Sequence, residues 1–120
     1  NLFEGGKTRA SELEWEHRRR GLLQRRDELR QRIRLQVESA FEQLKLSMAN
    51  IETARVALRQ AEENERITTL QYREQMVIFL EVLNAQVFVA QTRADFYQSL
   101  YGYEIAKAEL ERAIGTPLAY

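Results

Sequence analysis

The 120-residue sequence predicts an all-α chain of long helices that pair through coiled-coil seams. Three observations carry that expectation. Five Gly and one Pro leave little room for the turns that a sheet-containing fold requires. The single proline, Pro117, stands almost at the end, so nothing of that kind breaks a helix before it. Apolar and small residues recur at alternating spacings of three and four, the period of a helix face that meets a partner helix.

The chain opens with Asn1-Leu2-Phe3-Glu4-Gly5-Gly6, which ends in a Gly pair expected to supply backbone freedom for a sharp turn. Ser11 and Glu14 then have capping-box spacing, and Thr8 is a second candidate N-cap. Ile33, Val37, Ala40, Leu44, Ser47, Ile51, Ala54, Leu58 and Ala61 form one heptad seam. The polar run Glu62-Glu63-Asn64-Glu65-Arg66 interrupts it, and Val77-Ile78 is β-branched, so each is a weak break signal. The phase nevertheless continues through Glu65, Thr68, Tyr72, Gln75 and Phe79, and periodicity alone also fits one unbroken helix.

After that the pattern doubles. One row is Leu80, Leu83, Val87, Ala90, Ala94, Tyr97, Tyr101 and Ala108. A second is Val82, Val89, Phe96, Leu100, Tyr103, Leu110 and Ile114, with Gln86, Arg93 and Lys107 as polar members. Two apolar rows on one helix imply two neighbours, as in a bundle or a closed ring of helices. Gly115, Thr116 and Pro117 are expected to stop the helix.

Charge balances over the whole chain, with 18 basic and 18 acidic residues, but not along it. Residues 1–34 carry a net of +4 and the remainder −4. The basic cluster is Arg18, Arg19, Arg20, Arg25, Arg26, Arg30, Arg32 and Arg34. Such a cluster can bind phosphates on nucleic acid or anionic lipid. Interleaved Glu12, Glu14, Glu16, Asp27 and Glu28 favour the plainer reading of a solvated helix face. A nucleic-acid partner is not expected, because the chain has neither a basic total nor a reading element.

Catalytic chemistry finds little to work with. Cysteine is absent and His17 is the only histidine, which excludes disulfides, thiolate metal sites and a Cys/His centre. Glu14 and His17 make one Glu-x-x-His pair, where a di-iron bundle needs two such pairs and two further Glu. Gly5-Gly6-Lys7-Thr8 resembles the end of a phosphate-binding loop but lacks the earlier Gly. Trp15 reads as a packing or interface residue. No enzyme activity, cofactor or metal is expected. Apolar runs are short, Met76 to Leu80 for example, so no helix is expected to span a bilayer.

The second half carries a family pattern. The run Tyr72-Arg73-Glu74-Gln75-Met76-Val77-Ile78-Phe79-Leu80-Glu81-Val82-Leu83-Asn84-Ala85-Gln86 resembles the periplasmic tip of TolC-like outer-membrane efflux proteins. Ala90-Gln91-Thr92-Arg93-Ala94-Asp95-Phe96-Tyr97, then Tyr101-Gly102-Tyr103-Glu104-Ile105-Ala106 and Leu110-Glu111-Arg112-Ala113-Ile114-Gly115, resemble the rest of that family's last repeat. Leu2-Phe3-Glu4-Gly5-Gly6-Lys7 resembles the exit from a barrel strand into a long helix. The ordered set covers nearly the whole chain. It departs from the pattern where Gln75 replaces the tip Gly and where Asn84 replaces an acidic residue.

The resemblance implies a long antiparallel α-helical hairpin, part of a helical barrel in the intact protein. Helix one would run over about residues 7–72, the tip turn over 73–77 and helix two over 78–114. At about 1.5 Å per residue these helices span roughly 100 and 55 Å, so the Arg-rich half of helix one has no antiparallel partner here. The segment is therefore expected to be part of a longer chain, periplasmic in an outer-membrane protein that meets the membrane only through a β-barrel lying elsewhere. The implied function is passive multidrug export as a trimer, docked to a periplasmic adaptor (membrane fusion protein) and an inner-membrane transporter. Tyr72, Arg73, Gln75, Val82 and Leu83 are the expected docking and gating residues of the tip. Glu81 and Asn84 are expected to line the pore entrance, where a carboxylate ring favours cations. The alternative is a cytosolic coiled-coil scaffold without a transport role, which needs only the heptads.

Overall fold

A computed structural model describes residues 2–116, with side chains from Glu4 onward. Two helices account for most of them, α1 over Leu2–Arg73 and α2 over Phe79–Ile114. The chain divides into two units, Asn1–Glu38 and Ser39–Tyr120.

The first unit is helical from Leu2. Gly5 and Gly6 lie inside the helix and make no turn. Thr8 and Ser11 are not N-caps: their hydroxyls donate back to the Glu4 carbonyl at 2.8 Å and the Thr8 carbonyl at 2.8 Å. A hydroxyl one turn inside a helix finds a carbonyl nearer than a free amide. Every side chain from Glu4 to Gln36 is exposed, Ile33 of the expected seam included. Ion pairs within the helix connect Arg18 to Glu14 at 3.1 Å and Arg20 to Glu16 at 3.2 Å. Exposed pairs of this kind contribute about 0.3–0.5 kcal/mol each.

The second unit is an antiparallel hairpin. Along α1 its seam positions, all half-buried or buried, are Ala40, Leu44, Ser47, Ile51, Ala54, Leu58 and Ala61, continuing to Glu65 and Thr68, with Ala57, Thr69 and Gln71 half-buried beside them. Along α2 the seam positions are Val82, Ala85, Val89, Thr92, Phe96, Ser99, Tyr103, Ala106, Leu110 and Ala113, again at spacings of three and four, with Lys107 buried and Gly102 and Glu111 half-buried beside them. Large and small residues alternate on both helices. The small ones admit the backbone of the other helix, and the large ones reach past it. Ala61 and Ala106, at 1% and 3% exposure, mark that close approach.

Polar residues enter this seam because their hydroxyls are satisfied locally. Ser47 donates to the Leu44 carbonyl at 2.7 Å, Ser99 to that of Phe96 at 2.6 Å, and Thr92 to those of Phe88 and Val89 at 3.0 and 3.1 Å. Arg93 joins Glu62 across the hairpin at 3.3 Å. The run Glu62–Arg66 therefore does not break α1. It supplies one cross-helix pair, and a local one in which Arg66 donates to Glu63 and holds that carboxyl below its usual value. No large side chain is fully buried among the described residues, as expected when only two helices share a seam.

Gly115 closes α2. Its φ of 74° and its amide bond to the Glu111 carbonyl at 2.8 Å make a left-handed cap. Pro117 lies outside the described residues.

Candidate functional site at the hairpin tip

The turn between the helices is built by the end of α1. The Gln75 amide donates to the Tyr72 carbonyl at 3.0 Å, and the Met76 amide to the Gln71 carbonyl at 2.8 Å. Those two bonds define a Schellman motif, which needs a left-handed residue between them. Gln75 takes that role with φ 58°, the only non-Gly residue with positive φ among those described. The chain thus turns sharply at the position where Gly is expected, and a side chain there costs about 1 kcal/mol. Gln75→Gly is expected to stabilise the hairpin by about 0.5–1 kcal/mol, seen as a higher melting temperature. An unchanged or lower melting temperature would contradict this account of the turn.

Residues 74–78 separate the helices, and α2 starts without a side-chain cap. Ile78 occupies the N-cap position in an extended conformation (φ −82°, ψ 158°), where Ser, Thr, Asp or Asn is usual. Its carbonyl accepts the Glu81 amide at 3.1 Å. Tyr72 and Phe79 brace the turn from opposite sides, with ring centroids 5.6 Å apart and planes tilted by 54°. Arg73 places a cation at the end of α1 and Glu81 an anion in the first turn of α2, and both suit the helix dipoles.

The predicted site residues separate here. Tyr72, Arg73, Gln75, Glu81, Leu83 and Asn84 are exposed. Val82 is not: at 5% exposure it belongs to the hairpin seam, while Leu83 beside it is 40% exposed. Val82 therefore holds the two helices together rather than presenting a surface. Glu81 and Asn84, three apart on a helix, are surface neighbours.

Sequence reasoning missed the apolar cap of the tip. Met76 and Ile78 are 71% and 63% exposed, and Phe79 and Leu80 are exposed beside them. The signal lies in the apolar run Met76–Leu80, which straddles the turn. Large apolar side chains clustered on a solvated turn mark an interaction surface.

Elsewhere, Arg18 stacks over Trp15 at 5.7 Å and pairs with Glu14, so the carboxylate of the Glu14–His17 spacing is engaged by a cation. Among the described residues no group of three metal-ligating side chains occurs, and no helix is long and apolar enough to cross a membrane. No protein-family model matches the chain, and no curated protein or solved structure matches it.

Proposed function

We propose that this chain is the periplasmic coiled-coil segment of an outer-membrane export channel, and that its hairpin tip docks a periplasmic adaptor serving an inner-membrane transporter. The observation that carries the reading is the exposed apolar tip, Met76, Ile78, Phe79 and Leu80 with Leu83, on a turn that follows Tyr72 and Arg73. A coiled-coil scaffold needs heptads but no apolar surface at its turn.

In this account export is passive, and the tip works by docking and gating. Leu83, Tyr72 and the Met76–Leu80 cap give the adaptor an apolar landing surface. Arg73 and Gln75 add hydrogen-bond donors at its edge. Glu81 and Asn84 lie beside it and line the entrance. Entry would be set by one carboxylate and one amide per hairpin, a weaker cation preference than two carboxylates give. Three copies of the intact protein would complete the conduit.

Adaptor capture tests the reading. A panel of periplasmic adaptor hairpins is expected to retain the wild-type chain and to lose Leu83→Glu. Ala94→Glu, exposed on the same helix but away from the tip, is expected to be retained. Equal capture of Leu83→Glu and wild type would remove the tip from the docking account. Binding by no adaptor would return the chain to the scaffold reading.

A further inference from the structure

The outer row of α2 is a complete second heptad seam that no described residue covers. Leu80, Leu83, Val87, Ala90, Ala94, Tyr97 and Tyr101 all face away from the hairpin seam and are all exposed. We propose that this face is self-complementary, and that its occupant is α2 of a second copy of this chain, packed antiparallel. The inference rests on the seam itself and not on the transport reading.

The order of side-chain sizes selects the register. With Val87 set against Ala90 of the second copy, Leu83 meets its Ala94 and Leu80 meets its Tyr97. The two-fold axis repeats each contact. Large residues thus oppose small ones at the centre, where the helices come closest, and larger pairs fill the ends. A parallel arrangement would instead set Ala90 against Ala90 and Tyr97 against Tyr97, leaving a gap beside a clash.

The flanks agree. In the antiparallel register Asn84 lies opposite Gln91 of the second copy, and Gln86 opposite its Arg93. Neither flank brings like charges together. Between Leu80 and Tyr101 the only charged residues are Glu81, Arg93 and Asp95. Arg93 is engaged by Glu62 at 3.3 Å, and Asp95 accepts a hydrogen bond from Gln91 at 3.1 Å. A seam with amide flanks, and with two of its three charges already occupied, suits a copy of itself better than a strongly charged partner.

The area suffices. Leu80, Leu83, Val87, Tyr97 and Tyr101 remain 56%, 40%, 68%, 63% and 69% exposed. With about 150–250 Å² for each aromatic side chain and less for each aliphatic one, they present roughly 600 Å². The alanines and amide flanks bring this near the ~800 Å² per partner of a stable dimer.

Sedimentation of the 120-residue chain up to about 100 μM tests the pairing. Wild type is expected to dimerise with rising concentration. Val87→Glu and Ala94→Glu, both at exposed positions, are expected to weaken association more than tenfold (about 1.4 kcal/mol) with helical content unchanged. Ala94→Glu should still bind the adaptor, which separates this inference from the docking one. Spin labels then read the direction. Antiparallel pairing places labels at Gln91 within about 20 Å of each other and labels at Glu109 about 60 Å apart, at about 1.5 Å per residue. A monomeric wild type, a dimer that survives both substitutions, or short distances at both sites would overturn the proposal.

Discussion

Val89→Asp is expected to unzip the hairpin. Val89 is 4% exposed at the middle of the α2 seam. Arg93, one turn further on, is exposed and already engaged by Glu62, so it does not receive a carboxylate placed there. A buried charge without a partner costs about 3–5 kcal/mol. Small domains have about 5–15 kcal/mol in all, and a two-helix seam that fully buries no large side chain belongs at the low end. Far-UV circular dichroism should show loss of cooperative melting and of much of the helical signal at room temperature. Phe88→Asp is the matched control. Phe88 is one residue earlier and 54% exposed, so its replacement should change stability by no more than about 0.5 kcal/mol. Equal effects of the two substitutions would mean that the seam is placed on the wrong face of α2.

Hydrogen exchange is expected to divide α1 near residue 38. From Glu4 to Gln36 the helix rests on its own hydrogen bonds and on exposed ion pairs. Isolated helices are marginal in water, so local opening there needs little free energy. From Leu44 to Ala61 an amide opens only when the seam parts from α2. The difference of about 3 kcal/mol corresponds to exchange on the order of a hundredfold faster before residue 38 than after residue 44. Uniform protection along α1 would contradict the assignment of the seam.

The heptad between Val37 and Ala61 is legible in the sequence because every large residue in it is aliphatic and every small one is Ala or Ser. The α2 seam is only half legible. Its large positions, Val82, Val89, Phe96, Tyr103 and Leu110, stand out as one row. Their alternates, Ala85, Thr92, Ser99, Ala106 and Ala113, do not, since two of them carry hydroxyls that only local bonds to the backbone make compatible with burial. Leu100 and Ile114, expected in that row, are exposed because its true period passes through Ser99 and Ala113. Period alone also cannot say which of two seams faces α1, and the grouping of Val82 with Leu83 at the tip comes from the resemblance, although the two stand in different rows.

The start of the first helix misleads for a related reason. Thr8, Ser11 and the Gly pair are end signals when read locally, yet the helix runs through all of them. The turn shows the converse. No Gly, Pro or Asn marks residues 74–78, and the break is enforced by closure of the seam on both sides of Gln75. Tertiary packing outweighs the roughly 1 kcal/mol by which a single residue resists a left-handed conformation.

The docking account stands on one surface, and photo-crosslinking inside cells interrogates it most directly. Benzoylphenylalanine placed at Leu83 in the intact protein is expected to form an adduct with a periplasmic adaptor on irradiation. The same group at Val87, further from the turn and more exposed to solvent, should form less of it, or none. An adduct at Leu83 to an adaptor is the predicted result. Irradiation that yields no adaptor adduct at Leu83, in cells where the protein is present and folded, would contradict the claim that the hairpin tip is the docking site.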